Sequence, residues 1–462
     1  MRIQDLKDKN VGIWGLGAEG WSTLKLLRKK FPANKFVLFN DSHFSQEMED
    51  TLKQDPFLDL AIGDEISKKL DLVDVVIKSP GVTFYKDEIQ NALKKGIYFT
   101  SATKLWFAEH PTDTTVCITG TKGKSTTSSL ITHFLRHSNK RVTLGGNIGT
   151  PMLDMFDVEP KPEIWVIELS SYQLTDFEGC SPTVSLLLNL FPEHLDWHKG
   201  VENYYKDKLN VFSNQKDTSI SVIDKIDKNT NLYVDQEKLN NIFFFNDKNG
   251  FHVYEDAVYY QDKKILGATE VPIPGKHNLG NICAALTVVK ALGVDFEKCV
   301  KSISSFKGLP HRLYPCGKID NILYIDDSIS TTPQSAVAAM ETHKYKKITI
   351  LLGGFDRGLD FNDLAEYIAT KNIHAVITMP DNGVRIAEEI RKKLANFENN
   401  DILSGKTILK EANDLQDAVR ISKEITPENG VIILSPGSPS YGRFKNFAER
   451  GEVFSKYAGF SK

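Results

Sequence analysis

The chain has few of the features that mark secreted, membrane-embedded or nucleic-acid-binding proteins. Its 462 residues include five cysteines, Cys117, Cys180, Cys283, Cys299 and Cys316, scattered without paired metal-ligand spacing. That usage argues against a disulfide framework or zinc cluster and predicts reduced, mostly buried thiols. No run of about 18 apolar residues is present, so no membrane-spanning helix is expected. The first residues, MRIQDLKDKNVGIWGLG, lack the apolar region and small-residue cleavage site of a secretory signal, and a cytoplasmic location is expected. Charge of either sign is not in excess, because 60 acidic and 57 basic side chains leave a formal charge of -3. Neither a nucleic acid nor an anionic membrane is therefore an expected partner, and an anionic ligand must be held by local arrangements. Internal repeats and low-complexity tracts are absent as well.

What remains is an ordinary globular composition, 41% hydrophobic and 25% charged, on a chain too long for one core. Short β-branched runs alternate with helical patterns, which predicts an α/β fold of parallel sheets with flanking helices. Strands are expected at Val11–Trp14, Lys35–Phe39, Asp74–Ile77, Val116–Ile118, Ile164–Leu169 and Val184–Asn189. Later ones are expected at Ile322–Ile325, Ile348–Leu352, Ala375–Met379 and Val431–Leu434. FHVYEDAVYYQDKKIL looks like a β-hairpin and makes the middle region a mixed sheet. Breaks near His110-Pro111 and Gly308-Leu309-Pro310 predict three domains, 1–109, 110–309 and 310–462.

The strongest motif is TTVCITGTKGKSTTSSLITHFL, a strand, a glycine loop and an amphipathic helix. Gly120, Thr121, Lys122, Gly123, Lys124, Ser125 and Thr126 form a phosphate loop at a helix start, where unpaired N–H groups and the helix dipole favour anions. Lys124 would reach the β- and γ-phosphates, and the Ser125 hydroxyl would help hold magnesium. The loop is a shorter variant, since Ile118 stands where the strict pattern begins with glycine. A second glycine turn, Gly15-Leu16-Gly17-Ala18-Glu19-Gly20, follows a strand and opens a helix, with Asp41 ending the next strand. It reads as a site for a pyrophosphate, either of a dinucleotide such as NAD or of a UDP-linked ligand.

Further polar residues gather beside expected strand ends. Glu168 closes an apolar strand in WVIELSSYQL, where its carboxylate would face the phosphate loop. His194 follows another strand in LLLNLFPEHLDWH, and Glu168 with His194 would suffice for magnesium, which keeps phosphate and water ligands. Taken alone, His194 reads as a hydrogen-bonded loop histidine, and Lys206 and Lys208 in ENYYKDKLNVF read as a solvated basic face. Asn278 stands at a helix entrance, and His311 and Arg312 lie at the second break, where a buried arginine would suit phosphate.

In their order, TGTKGKST, GGNIGTP, ELSSYQL, NLFPEHLDWH, YYKDKL, PGKHNLGN and LPHRL resemble the Mur ligase family of peptidoglycan synthesis. SPGV and the C-terminal LSPGSPSYGRFKNFAERGEVF resemble its glutamate-adding branch. The resemblance implies a Rossmann-like N-terminal domain for a UDP-linked substrate, a central ATP domain and a Rossmann-like C-terminal domain for glutamate. It implies ATP and two magnesium sites as cofactors, small-molecule partners and a monomer. Lys124 and Ser125 would hold ATP phosphates and one metal, with Glu168 and His194 as metal ligands. Lys208 resembles a lysine that is carbamylated in the family and supports the second metal. Asn278, Arg312 and Asp327 would grip ATP, whereas Gly15, Leu16, Gly17, Asp41, Ser79 and Asn147 would face the UDP-linked substrate. The alanine carboxylate of UDP-N-acetylmuramoyl-L-alanine would attack the ATP γ-phosphate, and the amine of glutamate would then displace phosphate from the acyl phosphate. Domain closure would exclude water from that intermediate.

The glutamate region departs from the family. After Asp327-Ser328 the chain has Ile329-Ser330-Thr331-Thr332 in place of a Lys-Ala-Thr-Asn run. Thr331, Arg357, Ser440 and Phe447 match the remaining glutamate-pocket positions, and Thr332-Pro333 reads as a helix cap followed by proline. D-glutamate is the family default, and L-glutamate is the alternative that this departure raises. Other classes explain less: an NAD-dependent oxidoreductase leaves the second loop, Glu168 and His194 unused. A folate polyglutamating ligase needs no UDP-binding front domain, and a non-enzymatic nucleotide-binding module needs no such set of metal-type residues.

Overall fold

A computed structural model describes residues 1–44, 46–273, 275–356, 358–371, 373–398 and 407–460. Among these, the strands form four sheets. The N-terminal sheet comprises β1 (Val11–Trp14), β2 (Phe36–Asn40), β3 (Leu58–Ile62), β4 (Val75–Lys78) and β5 (Tyr98–Thr100), in the order β3-β2-β1-β4-β5. All its pairings are parallel. β1 and β4 are buried along their whole length, as expected of strands covered by helices on both faces.

The central sheet is also parallel. It comprises β6 (Thr114–Thr119), β7 (Val142–Gly146), β8 (Ile164–Glu168), β9 (Val184–Leu187), β10 (Ile220–Asp224) and β11 (Ile242–Phe245), in the order β11-β10-β9-β6-β8-β7. β12 (Phe251–Tyr254), β13 (Ala257–Tyr260) and β14 (Lys263–Gly267) form a separate antiparallel meander. The expected hairpin thus gains a third strand, and the mixture of parallel and antiparallel pairing in the middle region is divided between two sheets.

The C-terminal sheet comprises β15 (Tyr314–Ile319), β16 (Ile322–Asp326), β17 (Ile348–Gly353), β18 (Ala375–Met379), β19 (Ile408–Glu411) and β20 (Val431–Leu434), in the order β15-β16-β20-β17-β18-β19. Only the β15–β16 pair is antiparallel. The chain divides into two compact units, one of Met1–Val271 with Lys276–Phe306 and one of Pro272–Gly275 with Lys307–Lys462. The second unit begins at the break read near Gly308. The first break, near His110, falls inside the first unit, which holds the N-terminal and central sheets together.

Each strand expected from sequence falls on an observed strand, with ends displaced by two residues at most. Those not anticipated are chiefly the sheet edges β3, β5, β7, β11, β15 and β19. Edge strands bury less apolar surface, so the run that signals a strand is broken by polar residues. Among the described residues no helix is long and apolar enough to cross a membrane. All five cysteines are free, four of them buried and Cys316 partly so.

Candidate active site

Chemistry-bearing residues of the central sheet gather at its carboxyl edge. β6 is buried from Thr115 onward and delivers the chain into the glycine loop. Gly123 sits at φ 85° as the residue before the helix Lys124–His137, a left-handed turn that side chains disfavour. An added Cβ there would lie 2.5 Å from Asn281 Oδ1, so the loop is also closed sterically by the helix His277–Ala291. The Asn189 side chain braces the loop: its Oδ1 accepts from Thr121 N at 3.0 Å and Lys122 N at 2.9 Å, and its Nδ2 donates to Lys122 O at 3.1 Å. Thr121 Oγ1 is 2.8 Å from the Tyr204 hydroxyl. The ammonium of Lys124 donates to the carbonyls of Gly120 and Thr121, both at 3.0 Å, so it lies over the loop where a phosphate chain would run. Ser125 and Thr126 occupy the first helical turn, partly exposed. The geometry is that of an anion cradle.

Glu168 ends β8 next to this loop, in register with Ile118 of β6. It is 1% exposed. Asn147 Nδ2 donates to its Oε1 at 2.7 Å, and Ser128 Oγ lies 3.4 Å from its Oε2. Asn147 thus stands on the carboxylate side of the loop, at the end of the β7 segment. Lys208 is 2% exposed, and its Nζ donates to Gly120 O at 2.8 Å. The sequence reading of a solvated basic face is therefore corrected for Lys208: its helix turns this residue toward the loop. Burial, reinforced by Lys124, holds its ammonium well below the usual lysine range. His194 adopts φ 56° and its ring lies 5.0 Å from that of Tyr172. Burial, with His198, Lys124 and Lys208 nearby, depresses its pKa against the pull of Glu193, which favours the neutral imidazole that binds metals.

Among the described residues no group of three or more His, Cys, Asp or Glu is disposed to hold a metal. A buried carboxylate whose hydrogen-bond donors are neutral nevertheless fits a cation that takes few protein ligands and completes its shell with phosphate oxygens and water. Glu168 fits such a cation on those terms.

In the N-terminal sheet the order of strands changes direction between β1 and β4, the place where open α/β sheets bind ligands. Gly15 and Ser79 immediately follow those two strands and meet there, Ser79 Oγ donating to Gly15 O and Ser79 N to Trp14 O at 2.8 Å. Gly20 approaches the Gly15 carbonyl so closely that a Cβ would collide with it, while Gly17 is open to solvent. Leu16 differs from a ligand-facing residue in that its side chain is buried in the core, although its N–H points to Asn40 Oδ1 at 3.3 Å. Asp41 accepts from Trp14 Nε1 at 3.1 Å and Lys86 Nζ at 3.0 Å.

In the C-terminal unit, Asp327 is buried and accepts from Ser330 Oγ, Ser435 Oγ and Leu313 N. Burial raises its carboxyl to about 6. Arg312 is exposed, not buried as the sequence reading had it; the buried neighbour is His311, whose Nδ1 is 2.6 Å from Asp326 Oδ2. Thr332 caps the helix Pro333–Thr342 as expected, with Thr331 just before it. Ser440 is buried and lines a cavity, and Phe447 opens the last helix, Phe447–Ala458. Arg357 lies outside the described residues.

Sequence reasoning missed Asn281, which accompanies Asn278 on one helix and donates to its Oδ1 at 3.0 Å. It also passed over Asn189 as a brace, although NLFPEHLDWH contains it. The spacing of Asn278 and Asn281, one helical turn apart at a loop-facing entrance, was the available signal.

Three family models match the chain: the Mur ligase MurD-like N-terminal domain over residues 9–101, the Mur ligase middle domain over 118–289, and the Mur ligase glutamate ligase domain over 311–437. Relatives named UDP-N-acetylmuramoyl-L-alanine--L-glutamate ligase are 36% identical in Xanthomonas oryzae pv. oryzae and 37% identical in Xylella fastidiosa strain Temecula1, each covering 100% of this chain and 97% of the relative. One from a Micromonospora species is 34% identical over 99% of this chain and 98% of the relative. The fold is similar to that of UDP-N-acetylmuramate-alanine ligase MurC from Thermotoga maritima, with TM-score 0.57, 19% identity and coverage of 97% and 98%. It is also similar to MurF ligase from the same organism in complex with ADP, with TM-score 0.53, 19% identity and coverage of 92% and 95%. The chain belongs to the Mur ligase family and is an ATP-dependent amide ligase of peptidoglycan precursor synthesis.

Proposed function

We propose that this ligase joins L-glutamate to the alanyl carboxylate of UDP-N-acetylmuramoyl-L-alanine, in the cytoplasm and as a monomer. The carrying observation is full-length similarity to relatives named for L-glutamate, in a chain whose Ile329–Thr332 segment departs from the family run. D-glutamate, the family default, is the competing substrate. The domain limits 1–109, 110–309 and 310–462 assign the UDP-linked substrate, ATP and glutamate to successive domains.

The loop residues Gly120–Thr126 bind the phosphates of ATP, with Asn278, Arg312 and Asp327 as further ATP contacts. Lys124, already over the loop carbonyls, neutralises charge developing on the transferred phosphoryl group as the alanyl carboxylate attacks it. Ser125, Glu168 and His194 would hold magnesium at two sites, which when bound lowers the same charge. Lys208 completes the second site as a carbamate: its depressed pKa supports a neutral amine, the form that adds carbon dioxide, and the product is an anion suited to a metal. Gly15, Leu16, Gly17, Asp41, Ser79 and Asn147 orient the UDP-linked substrate; Leu16 does so through its backbone. Thr331, Ser440 and Phe447 line the glutamate pocket.

The test supplies Mg-ATP, UDP-N-acetylmuramoyl-L-alanine and either glutamate enantiomer, and follows phosphate release and product mass. Product with L-glutamate alone supports the proposal. Product with D-glutamate alone overturns the stereochemical assignment, and Lys124→Ala should abolish turnover with either.

A further inference from the structure

The C-terminal unit contains a pocket of about 180 Å³ at the carboxyl edge of its sheet, room for a few heavy atoms such as the carboxylate end of a small ligand. Its wall includes Gly353 at the end of β17, Gly354 after it, Ser440 beyond β20, and two arginines, Arg443 and Arg450. The two arginines are held in different ways.

Arg450 is 2% exposed. Its Nε donates to Ser328 Oγ at 2.9 Å, Nη2 to Ser328 O at 2.8 Å and Nη1 to Ser438 O at 3.0 Å. Every one of these acceptors is neutral. A guanidinium has five N–H groups, so two remain for another acceptor. Among the described residues no carboxylate forms an ion pair with it, although Asp326 contributes at longer range. Burying a cation without a paired anion is expensive, and an arginine fork is shaped for a carboxylate. Arg443 is the opposite case. Its Nε and Nη2 both reach one oxygen, Asp381 Oδ1, at 3.2 and 3.0 Å, and both side chains are about half exposed. Such a surface pair contributes little and exchanges readily for a better-placed carboxylate. Asp414, the acid in the wall, is occupied as the cap of the helix Leu415–Ile425.

We propose that Arg450 and Arg443 determine the specificity of this pocket for a dicarboxylic amino acid, Arg450 binding one carboxylate on the buried side and Arg443 leaving Asp381 to bind the other. The assignment rests on glutamate being the substrate. It gives the pocket two cations without relying on the lysine that the Ile329–Thr332 segment lacks.

The test is steady-state kinetics of the full chain with Mg-ATP and UDP-N-acetylmuramoyl-L-alanine, varying glutamate and then glutamine. Arg443→Ala should raise KM for glutamate about tenfold or more, the loss expected for one charged hydrogen-bonded contact, and lower the preference for glutamate over glutamine. KM for ATP and Tm should stay unchanged in that variant. Arg450→Lys, which keeps the charge and loses the fork, should raise KM for glutamate with kcat less affected. If KM for glutamate is unchanged in Arg443→Ala, and Arg450→Lys alters only Tm, the arginines are structural and the inference falls while the ligase reading stands. A wild-type enzyme that turns over neither glutamate enantiomer overturns both.

Discussion

The ammonium of Lys208 donates a 2.8 Å hydrogen bond to the carbonyl of Gly120, the first residue of the phosphate loop. A buried lysine in that position, with Lys124 close enough to oppose its charge and no ion-pair partner among the described residues, is under pressure to give up its proton. Lys208→Ala and Lys208→Arg should therefore both lower kcat by at least about a hundredfold, because arginine cannot become neutral at any accessible pH. Isotopically labelled carbon dioxide should give a carbamate signal in the wild type that both variants lack. The sign with pH follows: activity falls as pH drops through the depressed lysine pKa, since the protonated amine adds no carbon dioxide. Full activity in Lys208→Arg would end the assignment.

Gly123 tests the loop independently. Alanine there meets two obstacles, the left-handed φ of 85° and Asn281 Oδ1 at 2.5 Å. Backbone strain alone is worth about 1–2 kcal/mol. Gly123→Ala should raise KM for ATP and lower Tm, and adding Asn281→Ala should recover only the steric share. Additive effects of the two substitutions would mean that Asn281 does not close the loop.

Glu19 carries a pH signature. Its carboxyl is raised to about 7, first by burial and then by the charge of Asp154, against donors from Met152 N and Gln173. Oε2 has no hydrogen-bond partner, whereas Oε1 accepts from Gln173 Nε2 at 3.2 Å. The folded chain holds this proton more tightly than the unfolded chain. Its stabilisation is therefore fully present below the ordinary glutamate pKa and lost as pH rises through about 7. Glu19→Gln should change Tm little near pH 5 and raise it near pH 8, by at most about 3 kcal/mol of stability. Equal melting shifts at both pH values would show that Glu19 ionises normally.

The legible parts of this protein were those whose signal is local. Lys124 and Ser125 belong to a loop whose function and conformation lie in the same few residues, and β1, β4 and β6 are unbroken apolar runs because both faces are covered. Thr332-Pro333 forms the cap its chemistry dictates. Less legible were residues whose meaning depends on what the chain brings to them. Lys208 has the composition of a solvated helix face, and only the docking of that helix buries it. Arg312 is exposed where burial was expected, and the buried neighbour is His311, which sits at φ 64° with its ring against Asp326. Arg450 belongs to the C-terminal segment FAERGEVF, where nothing in its neighbours announces a buried cation.

One last relationship links the N-terminal segment to the helix that carries Lys208. Asp207 accepts from the Tyr85 hydroxyl at 3.1 and 3.0 Å and lies 2.6 Å from His198 Nδ1; His198 Nε2 is 3.0 Å from Ser171 Oγ. The His198 side chain is fully buried, so its partners must come from the protein. Asp207→Ala removes the carboxylate and leaves His198 Nδ1 and the Tyr85 hydroxyl without that partner, at a cost of about 3–5 kcal/mol. Because Asp207 immediately precedes Lys208, kcat should fall with Tm. Tyr85→Phe removes one donor and leaves the Asp207–His198 pair intact, so it should cost about 1 kcal/mol and spare kcat. If Asp207→Ala loses stability but keeps kcat at a temperature where it is folded, the network supports the fold and does not position Lys208.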